Sequence, residues 1–237
     1  MITRNTKSDY TPSFDLREII LIDKRIRKSS FDIVYKVRKA TGVKKVGHAG
    51  TLDPMATGLV LVCTGRKTKE ITQLLTVEKT YTGIISLGKT TPSYDLETFY
   101  DSEKGIDGIT KEMIYEARAK FLGAQLQTPP MFSAIKQNGQ ALYHLARKGV
   151  EVERQPKEIF ISKFEILKLD LPNVHFEITC SKGTYIRVIA HDFGEILGCG
   201  AYLRELRRTK VGEYDVSDAM NIDEFRELYT SNQIVVE

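Results

Sequence analysis

Gly47-His48-Ala49-Gly50-Thr51-Leu52-Asp53-Pro54-Met55-Ala56-Thr57-Gly58-Leu59-Val60-Leu61-Val62-Cys63 carries the signals on which the fold turns. Its apolar end, Leu59 to Cys63, is too short for a helix of its own and reads as a buried strand. Pro54 pushes Asp53 out of helical geometry towards an extended one, and the nearby glycines allow a tight backbone around it. A single carboxylate is thereby held in a defined pose on a loop before a buried strand. An isolated Asp-Pro also reads as a turn aspartate bonding its own backbone, and the loop by itself leaves both readings open.

Upstream of this stretch, Glu18 to Ile22 reads as a short strand and Ser30 to Ala40 as a helix. Ser29 with Asp32 three residues on is a capping signal, Ile33, Val37 and Ala40 make the apolar face, and Gly42 is the stop. Downstream, Lys67 to Thr76 looks helical, Thr80 to Leu87 alternates as a strand ending at Gly88, and a polar, acidic stretch runs from Thr90 to Gly108. Thr110 to Leu122 is a predicted helix with Met113, Ile114, Ala117 and Phe121 on one face and Gly123 as its stop. Gln127-Thr128-Pro129-Pro130 breaks regular structure, Asn138-Gly139 is a hairpin-type turn, and Ala141 to Arg147 forms a short helix ending at Gly149. The segment at about 127–156 therefore reads as an excursion from the core. Ile159 to Leu169, Asn173 to Cys180 and Tyr202 to Val211 are strand candidates, and Thr184 to Leu197 is a helix stopped by Gly198. Strands interleaved with helices and hairpin signals predict an α+β domain with a mixed, largely antiparallel sheet flanked by helices.

The chain of 237 residues is long enough to bury a sizeable core without a metal or disulfide staple. Its mean hydropathy of -0.25 and few Gly and Pro argue against disorder and collagen. The longest apolar stretch, at 59–63, falls far short of the roughly 20 residues a membrane helix needs. The first residues have no apolar core, so neither a signal nor a transit peptide is read, and the cytoplasm is the default location. Three separated cysteines without a C-x-x-C pair read as reduced thiols. The four histidines show no ligand spacing to one another or to a cysteine, which predicts chemistry without metal.

Net charge is only +4, but its distribution is uneven. Between Lys24 and Lys45 nine basic residues face one acid, and between Arg204 and Lys210 four face one. From Glu213 onward seven acids face Arg226 alone. Charge runs are commonly solvated faces. Two basic runs far apart in sequence, if united by the fold, would make a phosphate-binding surface.

A second candidate for chemistry is Ser181-Lys182-Gly183-Thr184-Tyr185-Ile186-Arg187, at a strand-to-helix junction. Thr184 is placed to cap the helix, with Tyr185 and Arg187 in its first turn and free of the core. A cation at that end opposes the helix dipole, so Arg187 points to another purpose. An arginine beside a buried carboxylate keeps it ionised and can also bind phosphate.

Five motifs stand in order along most of the chain: G-H-A-G-T-L-D-P-x-A-T-G-L at 47–59, K-x-Y at 79–81, P-P-M-F-S-A-I-K-x-x-G at 129–139, A-R-K-G at 146–149, and S-K-G-T-Y-I-R at 181–187 followed by L-G-C-G-A. Together they resemble the TruB-type tRNA pseudouridine synthases. The resemblance implies the pseudouridine synthase fold with a thumb-like insertion, and isomerisation of the uridine at position 55 in the T loop of tRNA, without a cofactor. It implies that Asp53 is the catalytic aspartate, that Tyr81 stacks on the target base and shuttles a proton, and that Arg187 is the ion-pair partner of Asp53. Tyr185 and Leu206 would line the uracil pocket, His48 would enter the T loop as the base flips out, and Asp95 would help recognise flipped nucleotides. Lys24 joins this set as a substrate-binding residue, and the segment at 127–156 resembles the mobile thumb that closes on RNA. Base flipping into a pocket with an aromatic face fits these assignments.

Two departures from the family stand out. The family opens with K-P-x-G-x-T/S-S, where this chain has Lys24-Arg25-Ile26-Arg27-Lys28-Ser29-Ser30. Arginines in place of a proline and a glycine are expected to exchange loop rigidity for phosphate contacts. The residues beyond Tyr214 are too few for a PUA domain, so one catalytic domain over 1–237 is expected, ending in a short acidic tail at about 213–237 and working as a monomer. A tRNA-folding chaperone with incidental catalysis and a base-excising glycosylase are the alternative readings.

Overall fold

The computed structural model describes residues 1–7, 9–137 and 139–230. Asn138 of the expected hairpin turn and the last part of the acidic tail, 231–237, lie outside the described residues. The chain runs β1 (Arg17–Lys24), α1 (Ser30–Thr41), β2 (Val46–His48), β3 (Thr57–Gly65), α2 (Ile71–Thr76), β4 (Lys79–Leu87), β5 (Lys89–Thr90) and β6 (Ser102–Glu103). It continues α3 (Lys111–Ala119), β7 (Gly123–Gln127), β8 (Lys136–Gln137), β9 (Gln140–Ala141), α4 (Leu142–Ala146), β10 (Lys157–Asp170) and β11 (Asn173–Cys180). α5 (Ile186–Leu197), β12 (Ala201–Val211), β13 (Tyr214–Asp215), β14 (Met220–Asn221) and α6 (Ile222–Thr230) follow. Two compact units result: Met1–Tyr81 with the chain from Leu206 onward, and Thr82–Glu205.

In the first unit β14, β1, β3 and the end of β12 lie side by side, with β2 on the flank of β3. β1 and β3 pair antiparallel, Leu21 opposite Leu61 and Ile19 opposite Cys63. β1 pairs parallel with β14, and β3 parallel with β12. β3 is buried from Gly58 to Gly65, as a continuous apolar run requires of a strand covered on both faces. One core gathers Ile19, Leu21, Ala49, Leu59, Leu61, Cys63, Val211 and Ala219. α1 packs on α6. Its Ser29 cap accepts from the Asp32 amide while Asp32 accepts from the Ser29 amide, and Gly42 closes the helix at φ +72°.

In the second unit β4, β11, β10 and β7 are successive neighbours, and β10 pairs antiparallel with both β11 and β7. β11 alternates as the period of two demands, burying Val174, Phe176, Ile178 and Cys180. The rings of Phe121, Phe176 and Phe193 surround Phe164 at centroid distances of 6.0 to 6.1 Å. α3 packs on α5.

Three local expectations change. The helix expected over 110–122 stops at Ala119, and Gly123 opens β7 instead of ending the helix. Pairing of β7 with β10 outweighs helix propensity there, and Met113 is exposed while Phe121 is buried. Residues 66–70 form a 3-10 turn before α2, fastened by the Thr68 hydroxyl donating to the Gly65 carbonyl. Thr184 does not cap α5: its hydroxyl donates back to the Ser181 carbonyl, and Tyr185 occupies the cap position.

Candidate active site

The loop between β2 and β3 is anchored on nearly every backbone carbonyl. The Leu52 amide donates to the Ser30 hydroxyl at 2.9 Å, tying the loop to the start of α1. Ala56 donates to the Asp53 carbonyl at 3.0 Å, and the Arg27 amide donates to the Pro54 carbonyl at 2.7 Å. Two buried cations supply the rest. The Lys24 ammonium donates to the carbonyls of Arg25, Lys28, Pro54 and Ala56. The Arg208 guanidinium donates to Leu59 at 2.8 Å, to Gly50 at 3.1 Å and to Thr51 at 3.5 Å. Asp53 sits at the centre of this scaffold with its side chain half-buried.

Each cation comes from one of the two basic runs, and the fold does unite them in the first unit. It spends their innermost members on carbonyl dipoles, whereas a phosphate surface would leave them in solvent. Burial drives the Lys24 ammonium down to about 8; Asp53 nearby supports its charge and Arg208 opposes it. Arg207 makes a bidentate pair with Asp23 at 3.0 and 2.7 Å. Arg25 and Lys36 reach Asp223 of α6 at 3.2 and 3.9 Å, so part of the acidic segment neutralises the basic opening run. Arg27, Lys28, Lys39, Lys44 and Lys45 remain exposed.

Three further candidates lie in the same unit. His48 ends β2 opposite Val62 of β3. Burial lowers its pKa, partly offset by a backbone hydrogen bond at Gly50, which favours the neutral imidazole. The Leu206 carbonyl accepts from the Thr57 hydroxyl at 3.4 Å, which places Leu206 beside the start of β3. Tyr81 is buried on β4, next to Thr80, whose carbonyl accepts from Thr209 of β12 at 3.2 Å.

The second unit holds Asp95, Tyr185 and Arg187. Tyr185 is clamped by the Gln127 side chain, which accepts from its amide at 2.8 Å and donates to its carbonyl at 3.1 Å. Arg187, two residues on, is buried rather than free of the core, and its guanidinium lies 5.6 Å from the Tyr185 ring centre. Asp95 is buried and accepts from the Glu97 amide at 2.9 Å, while its carbonyl takes the Thr91 and Ser93 hydroxyls. Tyr94 holds φ at +64° with its ring stacked on His191 at 4.0 Å. In the segment at 127–156, Lys136, Arg147, Lys148 and neighbouring Lys157 are exposed, and Arg147 bridges to Glu97 at 2.8 Å.

Sequence reasoning missed Arg208 and Gln127. Arg208 was visible only as one member of a basic run, and Gln127 only as the edge of a break. A buried arginine and a clamping glutamine are specified by partners distant in the chain, which no local pattern reveals. Among the described residues no group of three or more His, Cys, Asp or Glu side chains is arranged to hold a metal ion, and no helix is long and apolar enough to cross a membrane.

Comparison with known proteins gives this arrangement a family. Residues 38–186 match the N-terminal domain of TruB family pseudouridylate synthases, and residues 187–235 match a tRNA pseudouridylate synthase B C-terminal domain. Proteins named tRNA pseudouridine synthase B are similar over most of their length. The one from Flavobacterium johnsoniae is 46% identical over 89% of this chain and 95% of its own. The one from Chlorobaculum tepidum is 47% identical over 93% and 94%. A chain in the crystal structure of a Cbf5-Nop10-Gar1 complex superposes with a TM-score of 0.70 at 22% identity, covering all of this chain and 65% of that one. Another, in an H/ACA RNP bound to a substrate RNA containing 2'-deoxyuridine, gives 0.69 at 21% identity over 94% of this chain and 57% of that one. At such identities the likeness is one of fold. Sequence similarity that runs through the Asp53 loop and across both units settles the family: this chain belongs to the TruB family of pseudouridylate synthases.

Proposed function

We propose that this chain isomerises the uridine at position 55 in the T loop of tRNA to pseudouridine, with Asp53 as the catalytic aspartate. The observation that carries the reading is the Asp53 loop itself. A half-buried carboxylate stands on a backbone whose carbonyls are held by Lys24, Arg208, the Arg27 amide and the Ala56 amide. Fixing a reacting group before the substrate arrives removes reorganisation from the barrier. The relatives' names support tRNA as the substrate.

In the reaction the bond from the ribose C1′ to N1 of uracil breaks, the retained base turns, and C1′ bonds to C5. A proton leaves C5 and N1 gains one, so the step is balanced within the nucleotide. Asp53 either attacks the base or sugar or assists cleavage and holds the fragments. Tyr81 offers its ring to the flipped base and its hydroxyl for proton transfer. Arg187 is assigned as the ion-pair partner of Asp53, Tyr185 and Leu206 as pocket walls, and Asp95 as a recognition residue for flipped nucleotides. His48 enters the T loop as a neutral ring, consistent with its lowered pKa. Lys24 acts from beneath the loop, since its ammonium is turned to carbonyls. The segment at 127–156 serves as the thumb.

Incubation of unmodified tRNA with the protein, followed by digestion and nucleoside analysis, is the direct test. Pseudouridine at position 55 is expected with the parent and none with Asp53→Asn, at unchanged tRNA affinity. Turnover by that variant would remove Asp53 from the mechanism.

A further inference from the structure

Arg208 is among the largest fully buried side chains of the chain, 1% exposed, and among the described residues no carboxylate forms an ion pair with it. A charge taken out of water without a counter-ion is expensive unless hydrogen bonds replace its hydration. Here the replacement is three carbonyls, two of them in the Asp53 loop: Gly50 and Thr51 on one side, Leu59 of β3 on the other. A planar guanidinium fork fixes the directions of its acceptors, where an ammonium would act as a point charge. For stability alone, an apolar side chain and a re-routed loop would avoid the cost of burying charge.

The surroundings set the depth of this fork. Gly58 lies opposite Arg208 in the β3–β12 register, and a Cβ on Gly58 would fall 2.3 Å from the Arg208 carbonyl oxygen. Gly50 keeps φ at +96° with its own Cβ position 3.5 Å from the Arg208 Nη1. Thus β12 approaches β3 closely at this one register position, and the guanidinium spans from β3 to the first residues of the loop.

We infer that Arg208 is a positioning residue for Asp53, a bracket that sets where the carboxylate stands and does not itself touch RNA. This rests on the reading of Asp53 as the catalytic aspartate. Arg208 holds the residues before Asp53 and Lys24 those after it, so loss of either fork or ammonium frees one end of the loop.

The test uses the full chain carrying Arg208→Lys and, separately, Arg208→Met, with Asp53→Asn as the reference and unmodified tRNA as the probe. Single-turnover rate at saturating tRNA, tRNA Kd, thermal unfolding, and amide hydrogen exchange at 50–53 are measured. A misplacement of about 1 Å can cost about 100-fold in rate. The expected result is a rate loss of that order in Arg208→Met, a smaller loss in Arg208→Lys, tRNA Kd within about twofold of the parent, and faster exchange at 50–53 than in the parent. If Arg208→Met does not fold, Arg208→Lys decides alone. A folded Arg208→Lys that turns over at the parent rate overturns the inference, as does a Kd that worsens in step with the rate. Parent-like turnover by Asp53→Asn would instead overturn the underlying reading; a silent Asp53→Asn beside a fully active Arg208→Lys removes only the bracket.

Discussion

Replacing Gly58 by alanine puts one methyl group where the fold has no room. Gly58 holds φ at +106°, and the added Cβ would lie 2.3 Å from the Arg208 carbonyl oxygen, 2.7 Å from its nitrogen and 2.9 Å from its carbonyl carbon. All three are backbone atoms, so no side-chain rotation relieves the contact. A side chain held at such a φ costs about 1–3 kcal/mol, and forcing apart a packed contact adds about 1–3 kcal/mol. The sum, about 2–6 kcal/mol, corresponds to a fall in Tm of about 4–24 °C at about 2–4 °C per kcal/mol for a chain of this size. Gly108→Ala separates the two contributions, because Gly108 has a similar φ of +88° with nothing within 4 Å of its Cβ position. Urea unfolding of both variants, followed by circular dichroism, gives the difference. If Gly58→Ala is no less stable than Gly108→Ala, the close approach of β12 to β3 is not what requires this glycine.

Ser29→Ala removes the hydroxyl half of the α1 capping box, leaving the residue 29 amide on the Asp32 carboxylate, and is expected to cost about 1 kcal/mol, read as a Tm lower by about 2–4 °C. The Lys24 ammonium loses its proton at about 8 because of burial, so its grip on the loop carbonyls weakens as pH rises past that value. Turnover should fall on that limb, while the contribution of this group to stability moves the other way. Its folded pKa lies below the unfolded value of 10.5, so between these two pH values the unfolded chain binds more protons and stability gains as pH rises. A turnover profile flat from pH 7 to 9.5 refutes the link. Arg27→Gly relieves a side chain held at φ +62° and is expected to stabilise by about 0.5–1 kcal/mol; a lower unfolding midpoint would contradict it.

The parts of the fold that were legible in sequence are those whose causes are local. β3 follows from an apolar run between glycines, α1 from Ser29, Asp32 and Gly42, and β11 from strict alternation. The end of α3 was not legible, because the residues after Ala119 obey β10 rather than their own propensity. At the site, Pro54 and the glycines announced a constrained Asp53 but not what constrains it. Its anchors are Lys24, 32 residues from Ala56, and Arg208, 158 residues from Gly50. A sequence presents such cations as members of charged runs, and charge alone assigns them to solvent. Burial next to bare carbonyls reverses that assignment, and strand pairing brings it about: β1 with β3 for Lys24, β12 with β3 for Arg208.

The replacement of the family's proline and glycine by Arg25 and Arg27 takes on a different meaning beside that scaffold. A glycine at position 27 would adopt the left-handed backbone freely, yet Arg27 adopts it at φ +62° and still donates its amide to the Pro54 carbonyl at 2.7 Å. The contact to the residue after Asp53 is therefore kept with a side chain that opposes the conformation. Arg25 reaches Asp223 at 3.2 Å, so one of the two added charges already has a partner within the chain. The expectation of two new phosphate contacts thus narrows to the exposed Arg27 side chain, and the rest of the exchange concerns backbone shape. The Arg27 amide fixes Pro54, where a shift would move Asp53, and this bond is made by the backbone and not by the side chain at the turn.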